Sequence, residues 1–341
     1  MAQERLELLL GAVGAAGSVL ILPHNDPDPD AIASAVALHH LLAERLGVEG
    51  HIAYKGIIGR AENKALVRYL GYSLQRLTGS DLRQSAPVAL IDTQPGAGNN
   101  ALPPKSTAAI VIDHHLWRKA TATAGFADVR PDLGATSTIL TEYLQAADIE
   151  PAPPLATALF YGIKSDTMGL GRGASPADVT AYFYLQSRID VGALVEIERA
   201  QVPADYFKSS DATLHAARVY DGVVISYMGP MSYPDLSAEM ADLLLRLEGA
   251  RWVICMGVYK DDLILAVRIR DQRREAGQLV QEMVGDRGTA GGHGTMAGGR
   301  VPLQGKDPAQ MALRLGQRAL QSLKVVPEIA GKPLIPSEGD P

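Results

Sequence analysis

The amino-acid sequence predicts an α/β protein with two domains, a parallel-sheet domain first and a smaller α/β domain after it. Two observations predict this class. Short apolar runs alternate with stretches of helical periodicity, which is typical of a parallel sheet with crossover helices. Several of these runs end in acidic residues or histidines. A length of 341 residues is sufficient for two buried cores.

The first apolar run, Val19 to Leu22, has the length of a buried strand and passes directly into an acidic loop. Residues 23–30 contain one histidine and three aspartates, and residues 31–46 then show helical periodicity. Carboxylates this close together repel one another when they are ionised, so a divalent cation is the natural partner of the loop. The alternative interpretation is a solvated Asp-Pro turn before a helix.

Three later runs repeat this pattern, at residues 88–93, 109–115 and 159–166, and we predict that each is a strand. In an open parallel sheet the carboxyl ends of the strands gather at one crevice, so these side chains should converge. The converging metal ligands would be His24, Asp28, Asp30, Asp92, His114 and Asp166. Six ligands rich in carboxylate suit two ions that share a bridging carboxylate, with Mn²⁺ preferred and Mg²⁺ or Co²⁺ as alternatives.

These motifs together resemble those of the DHH phosphoesterases, a family named for the sequence that stands here as Asp113-His114-His115. The segments similar to the family's motifs are His24-x-x-Pro27-Asp28-x-Asp30, Asp92, Asp113-His114-His115, Asp166-Thr167 and the glycine-rich Gly291–Gly299. The resemblance covers roughly residues 18–303. Pro29 and Met168 stand where the family usually has glycine.

The resemblance, together with the ligand set, implies a site with two metals. The first ion would be held by His24, Asp28 and Asp92, and the second by Asp30, Asp92, His114 and Asp166. His115 would contact the scissile phosphate or protonate the leaving oxygen, and Asp113 would orient a metal-bound imidazole.

The glycine-rich segment is expected to bind a substrate phosphate through Gly291, Gly292 and His293. A dinucleotide-binding fingerprint is rejected, because no strand is predicted before the segment and no acidic residue follows at the required position. By the resemblance Arg268 clamps another substrate oxygen, with Arg270 as the fallback candidate. Secondary candidates for substrate contacts are Arg60, Trp117 and Arg118.

The implied function is hydrolysis of very short oligonucleotides or dinucleotides (nanoRNA, pApA, pGpG), with 3′-phosphoadenosine 5′-phosphate (pAp) as a second substrate. Alternatives are a cyclic di-AMP phosphodiesterase, an exopolyphosphatase, and an inactive nucleotide-binding sensor. A net charge of −6 argues against a long nucleic-acid groove, which needs a sustained basic face. The charge therefore limits the partner to a short nucleotide. No apolar stretch is long enough to span a bilayer, so we expect no membrane and a cytoplasmic location, with a homodimer as the candidate assembly. The single cysteine, Cys255, lies in an apolar run and is predicted to be inert.

The expected boundaries place the catalytic domain at residues 1–186, a helical connection at 187–210, the substrate-binding domain at 211–324 and a disordered tail at 325–341. The active site would then lie in the cleft between the domains. In the smaller domain the predicted elements are strands near Gly222–Tyr227, Arg251–Tyr259 and Leu263–Ile269, and a helix over Asp235–Leu247.

Overall fold

The computed structural model of the chain describes residues 2–83, 86–271, 273–325 and 331–336, with only the backbone for Ala2, Arg83 and His293. The chain divides into two compact units, Met1–Gln201 and Val202–Pro341. This division falls inside the segment 187–210 that the sequence suggests as a connection. No helix in the described ranges is long and apolar enough to cross a membrane.

The first unit consists of a sheet with helices before, between and after its strands. Its helices are α1 (Ala2–Val13), α2 (Pro29–Leu46), α3 (Ala61–Leu70), α4 (Thr136–Ala146), α5 (Pro153–Thr167), α6 (Pro176–Gln186) and α7 (Val191–Glu198). Its strands are β1 (Ser18–Pro23), β2 (Glu49–Tyr54), β3 (Gln75–Arg76), β4 (Val88–Ile91), β5 (Ile110–Asp113) and β6 (Phe126–Val129).

The sheet of the first unit is parallel, as the sequence predicts. Its six strands run in the order β3-β2-β1-β4-β5-β6, and every pairing is parallel. The chain winds outward from β1 in one direction and from β4 in the other, so the strand order reverses between β1 and β4. A parallel α/β sheet binds its ligands beyond the carboxyl ends of the strands at such a reversal.

The residues that follow β1 explain why the loop turns so sharply into α2. Asp28 caps the helix, because its Oδ1 accepts a hydrogen bond from the Ala31 N–H at 3.0 Å. Pro29 occupies the first helical position, where a missing N–H costs nothing and a fixed φ is favourable. Proline at position 29 therefore suits the helix start.

The strands of the first unit alternate between two apolar cores. Val19 and Ile21 belong to the core that also contains α2, α4 and α5, whereas Leu20 and Leu22 pack in a smaller core on the other face. The sheet is thus buried on both sides, as parallel sheets are.

The prediction of a strand over residues 159–166 is wrong, because this run lies in α5. Fifteen consecutive residues from Pro153 to Thr167 are helical, and those from Leu155 to Ile163 are buried. A helix buried on all sides shows the same continuous apolar run as a buried strand, and only its length separates the two. Gly162 brings α5 close to α2, since a Cβ at Gly162 would lie 3.1 Å from the Asp30 Cα.

The second unit is also α/β, with a mixed sheet. Its helices are α8 (Ala204–Ala216), α9 (Leu236–Leu244), α10 (Ala276–Val284) and α11 (Pro308–Ser322). Its strands are β7 (Arg218–Tyr220), β8 (Val223–Pro230), β9 (Trp252–Tyr259), β10 (Asp262–Ile269), β11 (Thr289–His293), β12 (Met296–Pro302) and β13 (Lys332–Pro333). The seven strands lie in the order β11-β12-β10-β9-β8-β7-β13, and only β8 and β9 pair in parallel.

Two expectations for the second unit need correction. The glycine-rich segment is a β-hairpin of β11 and β12, so Gly291 and Gly292 lie inside a strand. A Rossmann site is excluded because a strand, and no helix, follows the glycines. The expected tail is partly ordered, since Lys332 and Pro333 pair with β7. Residues 326–330 and 337–341 lie outside the described residues.

Cys255 behaves as predicted from its apolar surroundings. It is fully buried in the core between the sheet and α9. Burial raises the pKa of its thiol, which keeps it protonated and unreactive at neutral pH.

Candidate metal centre

Four segments of the first unit bring histidines and carboxylates together at the carboxyl edge of the sheet. Each of three groups has ligand atoms that all lie within 4.8 Å of one another. These groups are His24 with Asp28 and Asp92, Asp30 with His114 and Asp166, and Asp92 with His114 and His115. All six predicted metal ligands are therefore clustered, and Asp92 belongs to two groups.

His24 is oriented by the backbone of its own loop. Its Nδ1 lies 2.8 Å from the Asn25 carbonyl oxygen, which accepts a hydrogen bond from the ring. The Nε2 is then directed to the carboxylates, 3.6 Å from Asp28 Oδ1 and 3.5 Å from Asp92 Oδ2. The hydrogen bond from Nδ1 to a carbonyl oxygen places the ring proton on Nδ1, which leaves the Nε2 lone pair free to ligate a metal.

Asp92 directly follows β4 and has an unusual backbone conformation. Its φ is +57°, in the left-handed region that non-glycine residues seldom adopt. The Thr136 hydroxyl, at the start of α4, donates a hydrogen bond to Asp92 Oδ1 at 2.8 Å. Backbone and hydroxyl together hold this buried carboxylate between the neighbouring imidazoles.

Asp30 is held by the N-terminus of α4. The backbone N–H groups of Thr136 and Ser137 each donate to a different Asp30 oxygen, both at 2.7 Å. The sequence suggests that the small residues at positions 134–138 offer their N–H groups to an anion. The structure shows that this anion is a carboxylate of the protein itself.

His114 provides the test of whether a cation fits. Its Nδ1 lies 3.2 Å from the Leu133 carbonyl oxygen, which leaves the Nε2 lone pair facing the site. In the described part of the chain this buried Nε2 has no hydrogen-bond partner. It lies 3.6 Å from Asp92 Oδ1 and 3.5 Å from Asp166 Oδ2. A lone pair that faces two carboxylates is repelled unless a cation or a proton lies between them, so the donor set fits a divalent metal.

Asp113 contacts His115, whereas the sequence interpretation paired it with a metal-bound imidazole. Its Oδ1 lies 2.8 Å from the His115 Nδ1, and Gln94 Nε2 donates to its Oδ2 at 2.7 Å. Burial acts to raise the pKa of Asp113, but the hydrogen bond and charge of His115, with the hydrogen bond from Gln94, together outweigh it and lower that pKa. Burial likewise opposes the charge on His115, but the bond to Asp113 and the charge of Asp92 together raise the pKa of His115 above its usual value.

Two carboxyl groups of the site, Asp30 and Asp166, are unfavourable in their ionised form. Burial and then the charge of Asp92 raise the pKa of Asp30 to about 7. Burial also raises the pKa of Asp166 well above its usual value, with further repulsion from Asp28, Asp30 and Asp92. Carboxylates that resist ionisation in this way are stabilised when a cation neutralises them.

Replacing Asp166 with asparagine is expected to raise the melting temperature of the metal-free protein at pH 8. A carboxyl group whose pKa is raised on folding stabilises the fold below its unfolded pKa of about 3.9. That contribution is lost as pH rises through the folded pKa. The gain in Asp166→Asn should therefore shrink as pH falls from 8 to 4, in thermal melts with chelator. A gain in melting temperature that does not depend on pH would contradict the raised pKa of Asp166. Asp148→Asn, at an exposed site, is the control.

Thr136 is a site residue that the sequence interpretation placed at a helix start, either as a donor to an anion or as a plain cap. It donates its N–H to Asp30 and its hydroxyl to Asp92. The loop before it is fixed by Asp178, whose Oδ2 accepts from the Gly134 N–H at 2.8 Å. The sequence signal for Asp178 is the capping box with Ser175, which predicts a helix start and carries no information about a site.

Thr136→Val is expected to lower metal-dependent turnover by about 10- to 100-fold, the usual effect of losing a hydrogen bond to a ligand carboxylate. Valine keeps the shape and the backbone N–H, so only the bond to Asp92 is lost. Turnover and Mn²⁺ affinity measured together would test this. Thr141→Val is the matched control, because the Thr141 hydroxyl bonds to the Ser137 carbonyl oxygen within the same helix. Equal turnover in the Thr136→Val and Thr141→Val variants would show that the Thr136 hydroxyl does not contribute to the site.

The secondary candidates lie in loops of the first unit. Arg60 precedes α3 and lies 3.8 Å from the Glu62 carboxylate. Trp117 is 52% exposed, so much of its surface is open to solvent rather than packed on the core. Arg118 has its N–H bonded to Gln94 Oε1 at 2.9 Å, which links its loop to the residue that holds Asp113.

In the second unit Arg268 and Arg270 already have partners. Arg268 is 8% exposed, and its Nε donates to Asp242 Oδ1 at 2.6 Å. Arg270 donates from Nε to the Ala250 carbonyl oxygen at 3.2 Å and from Nη2 to that of Leu245. Arg268 thus lies in an ion pair within this unit.

The two glycines at the end of β11, Gly291 and Gly292, differ in whether the hairpin needs them. A Cβ at Gly292, where φ is +144°, would lie 2.4 Å from the Ala297 Cα. Glycine is therefore required at position 292 by the pairing of β11 with β12. At Gly291 a Cβ would meet no described atom within 4 Å, so the hairpin itself does not require glycine there. For His293 the structure describes only a backbone position, at the end of β11.

Comparisons with known proteins agree with this fold. The chain is 41% identical over 287 residues to Uncharacterized protein MJ1633 of Methanocaldococcus jannaschii, a match that covers 84% of this chain and 58% of that protein. The chain thus spans little more than half the length of that relative. It is also similar to the crystal structure of an exopolyphosphatase-related protein from Bacteroides fragilis, with a TM-score of 0.73. That match has 15% identity and covers 94% of this chain and 97% of the other, so it shows the fold alone.

A family comparison covers the stretch that carries β1, β4 and β5 with the ligands at their ends. Only Asp166, among the six predicted metal ligands, lies beyond the matched stretch. Residues 18–163 match the DHH family, N-terminal domain.

Proposed function

We propose that the first unit is a metal-dependent phosphoesterase that hydrolyses very short oligonucleotides or dinucleotides to mononucleotides, with pAp as a second substrate. The observation that carries this proposal is the set of three adjoining ligand groups at the strand reversal, in which Asp92 belongs to two groups and lies 3.6 Å from the His114 of the third. Two adjacent cation sites with a common carboxylate suit displacement at phosphorus. The match of residues 18–163 to the DHH family supports the same reaction class.

Each ion has its own set of residues in this proposal. His24, Asp28 and Asp92 hold one ion, and Asp30, Asp92, His114 and Asp166 hold the other, with Mn²⁺ preferred over Mg²⁺ or Co²⁺. The ions would activate water and stabilise the charge that develops on the phosphoryl oxygens. The protein's part is to keep both imidazoles in the ligating tautomer, which it does with carbonyl oxygens behind His24 and His114.

His115 is the proposed proton donor to the leaving oxygen. Its bond to Asp113 raises its pKa, so more of it is protonated near neutral pH. Gln94 orients Asp113 from behind, because its amide nitrogen donates to Asp113 and its amide oxygen accepts from the Arg118 N–H. His115 is also near enough to Asp92 and His114 to act as a further ligand.

The substrate is proposed to be small. A net charge of −6 supports this size limit, because a long nucleic acid would need an extended basic surface. The proposed substrate contacts are Arg268, Gly291, Gly292 and His293. Arg268 would have to exchange Asp242 for a substrate oxygen, so Arg268→Gln tests this contact through KM rather than kcat.

A substrate panel tests the proposal. Initial rates with Mn²⁺ would be measured for pApA, pGpG, a five-nucleotide RNA, pAp, cyclic di-AMP and polyphosphate. The fastest turnover is expected for pApA, pGpG or the short RNA, with release of mononucleotides. Asp92→Asn and chelator should both abolish it.

The alternatives predict different outcomes of the same panel. Fastest turnover of cyclic di-AMP or of polyphosphate would replace the nanoRNA proposal but keep the metal-dependent chemistry. Nucleotide binding without turnover of any substrate, in protein that also binds Mn²⁺, would identify a sensor and overturn the proposed activity.

A further inference from the structure

A basic groove lies along α11 in the second unit and contains none of the residues proposed above as metal ligands or substrate contacts. It has a volume of about 620 Å³, and four cationic side chains line it together with one acid, Asp307. The cationic residues are Arg287, Lys306, Arg314 and Arg318. A local excess of positive charge is unexpected on a chain whose net charge is −6. We call this feature the α11 groove.

Two guanidinium groups meet at one wall of the α11 groove. A Cβ at Gly285 would lie 3.4 Å from Arg287 Nη1 and 3.6 Å from Arg318 Nη2, so both cations pack over this glycine. Like charges so close together repel one another unless an anion lies between them. Among the described residues no ion pair is formed by either arginine, and Arg287 Nη1 donates to the uncharged Val284 carbonyl oxygen at 3.4 Å.

Arg318 supplies a second, independent observation. Its Nη1 is buried and has no hydrogen-bond partner in the described ranges. A buried guanidinium N–H that lacks an acceptor is costly, because its lost hydration is not replaced. An oxyanion bound in the groove would supply that acceptor.

The lining of the α11 groove indicates the class of ligand. Paired guanidiniums match the geometry of a phosphate group, to which each can donate two hydrogen bonds. Met311 and Leu315 are buried and form an apolar floor, and the volume is that of a small-molecule site. We propose that the α11 groove binds a phosphorylated small molecule, with Arg287 and Arg318 on its phosphate.

This site is separate from the glycine-rich hairpin. Arg287 precedes the start of β11 and Lys306 follows the end of β12, whereas Gly294 joins the other ends of these two strands. The paired stretch has five residue pairs, so about 16 Å of hairpin lies between the two places. The proposal therefore does not depend on the reaction proposed for the first unit.

Calorimetric titration of the full chain, stripped of metal and at low salt, would test the site with inorganic pyrophosphate and with AMP. We expect saturable binding of at least one probe. Replacing Arg287 and Arg318 together with glutamine should weaken it by about 100-fold, roughly tenfold for each charged donor. Arg246→Gln, an exposed arginine of the same unit outside the groove, should bind like the original protein.

Each outcome bears on the proposal. Tighter binding of AMP would identify a nucleotide ligand, and tighter binding of pyrophosphate would identify an inorganic one. No binding of either probe, or equal weakening by Arg246→Gln, would overturn the site. Binding of a twenty-nucleotide RNA alone would instead assign the groove to a nucleic-acid backbone. Arg318→Lys keeps the charge and should lose about tenfold, so it tests the site if the double variant does not fold.

Discussion

Replacing Asp92 with asparagine is expected to lower kcat by at least about 10³-fold, the scale of effect seen when a central catalytic group is removed. Asp92 contributes ligand atoms to two of the three clusters and lies 3.6 Å from His114 of the third, so its loss should affect both proposed ions. Asparagine is the right replacement because φ at this position is +57°, a conformation that asparagine tolerates and alanine resists. The fold should therefore persist, as melting curves of the variant would show.

Asp148→Asn is the matched control for this experiment. Asp148 also has a positive φ, +53°, and it is exposed at the end of α4. The same substitution in the same backbone conformation should leave turnover unchanged. Near-normal hydrolysis by Asp92→Asn, with Mn²⁺ affinity intact, would refute the shared-carboxylate arrangement.

Mn²⁺ is expected to raise the melting temperature of the first unit by about 5–10 °C at a concentration 100 times its dissociation constant. Binding at that level stabilises the folded state by about 2.7 kcal/mol. A domain of this size, Met1–Gln201, gains about 2–4 °C for each kcal/mol. The physical reason is relief of repulsion, because Asp30 and Asp166 resist ionisation until a cation is present.

Differential scanning calorimetry with and without chelator would measure the shift. The transition of the second unit should not move, which provides an internal control. Asp92→Asn should reduce the shift strongly. An equal shift in that variant would mean that Mn²⁺ binds outside the three clusters.

Much of this site could be predicted because it lies where strands end. The loop after β1, Asp92 after β4 and His114 after β5 all follow short apolar runs, and parallel strands bring such ends together. Spacing along the chain was therefore enough to suggest their convergence. The clusters contain every ligand that this reasoning proposed.

The remaining features depend on packing that the sequence does not encode locally. Asp166 reaches the site from α5. Because α5 is buried on all sides, its apolar residues show no periodicity that would distinguish a helix from a strand. Thr136 and Ser137 read as helix caps, and only the folded chain shows that their N–H groups bind Asp30. The hairpin of β11 and β12 was missed because glycine has low strand propensity, which pairing overrides here.

The close contact between α5 and α2 sets how far Asp166 can extend toward the other ligands. Gly162 lies one helical turn before Asp166, so the two positions share a face of α5. A Cβ at Gly162 would lie 2.4 Å from the Ser137 hydroxyl and 3.2 Å from Asp30 Oδ1. Any larger residue would push the helix outward and carry Asp166 with it. The absence of a Cβ at Gly162 thus sets the spacing between α5 and α2. That spacing in turn sets the distance between the Asp30 and Asp166 carboxylates that could bind an ion.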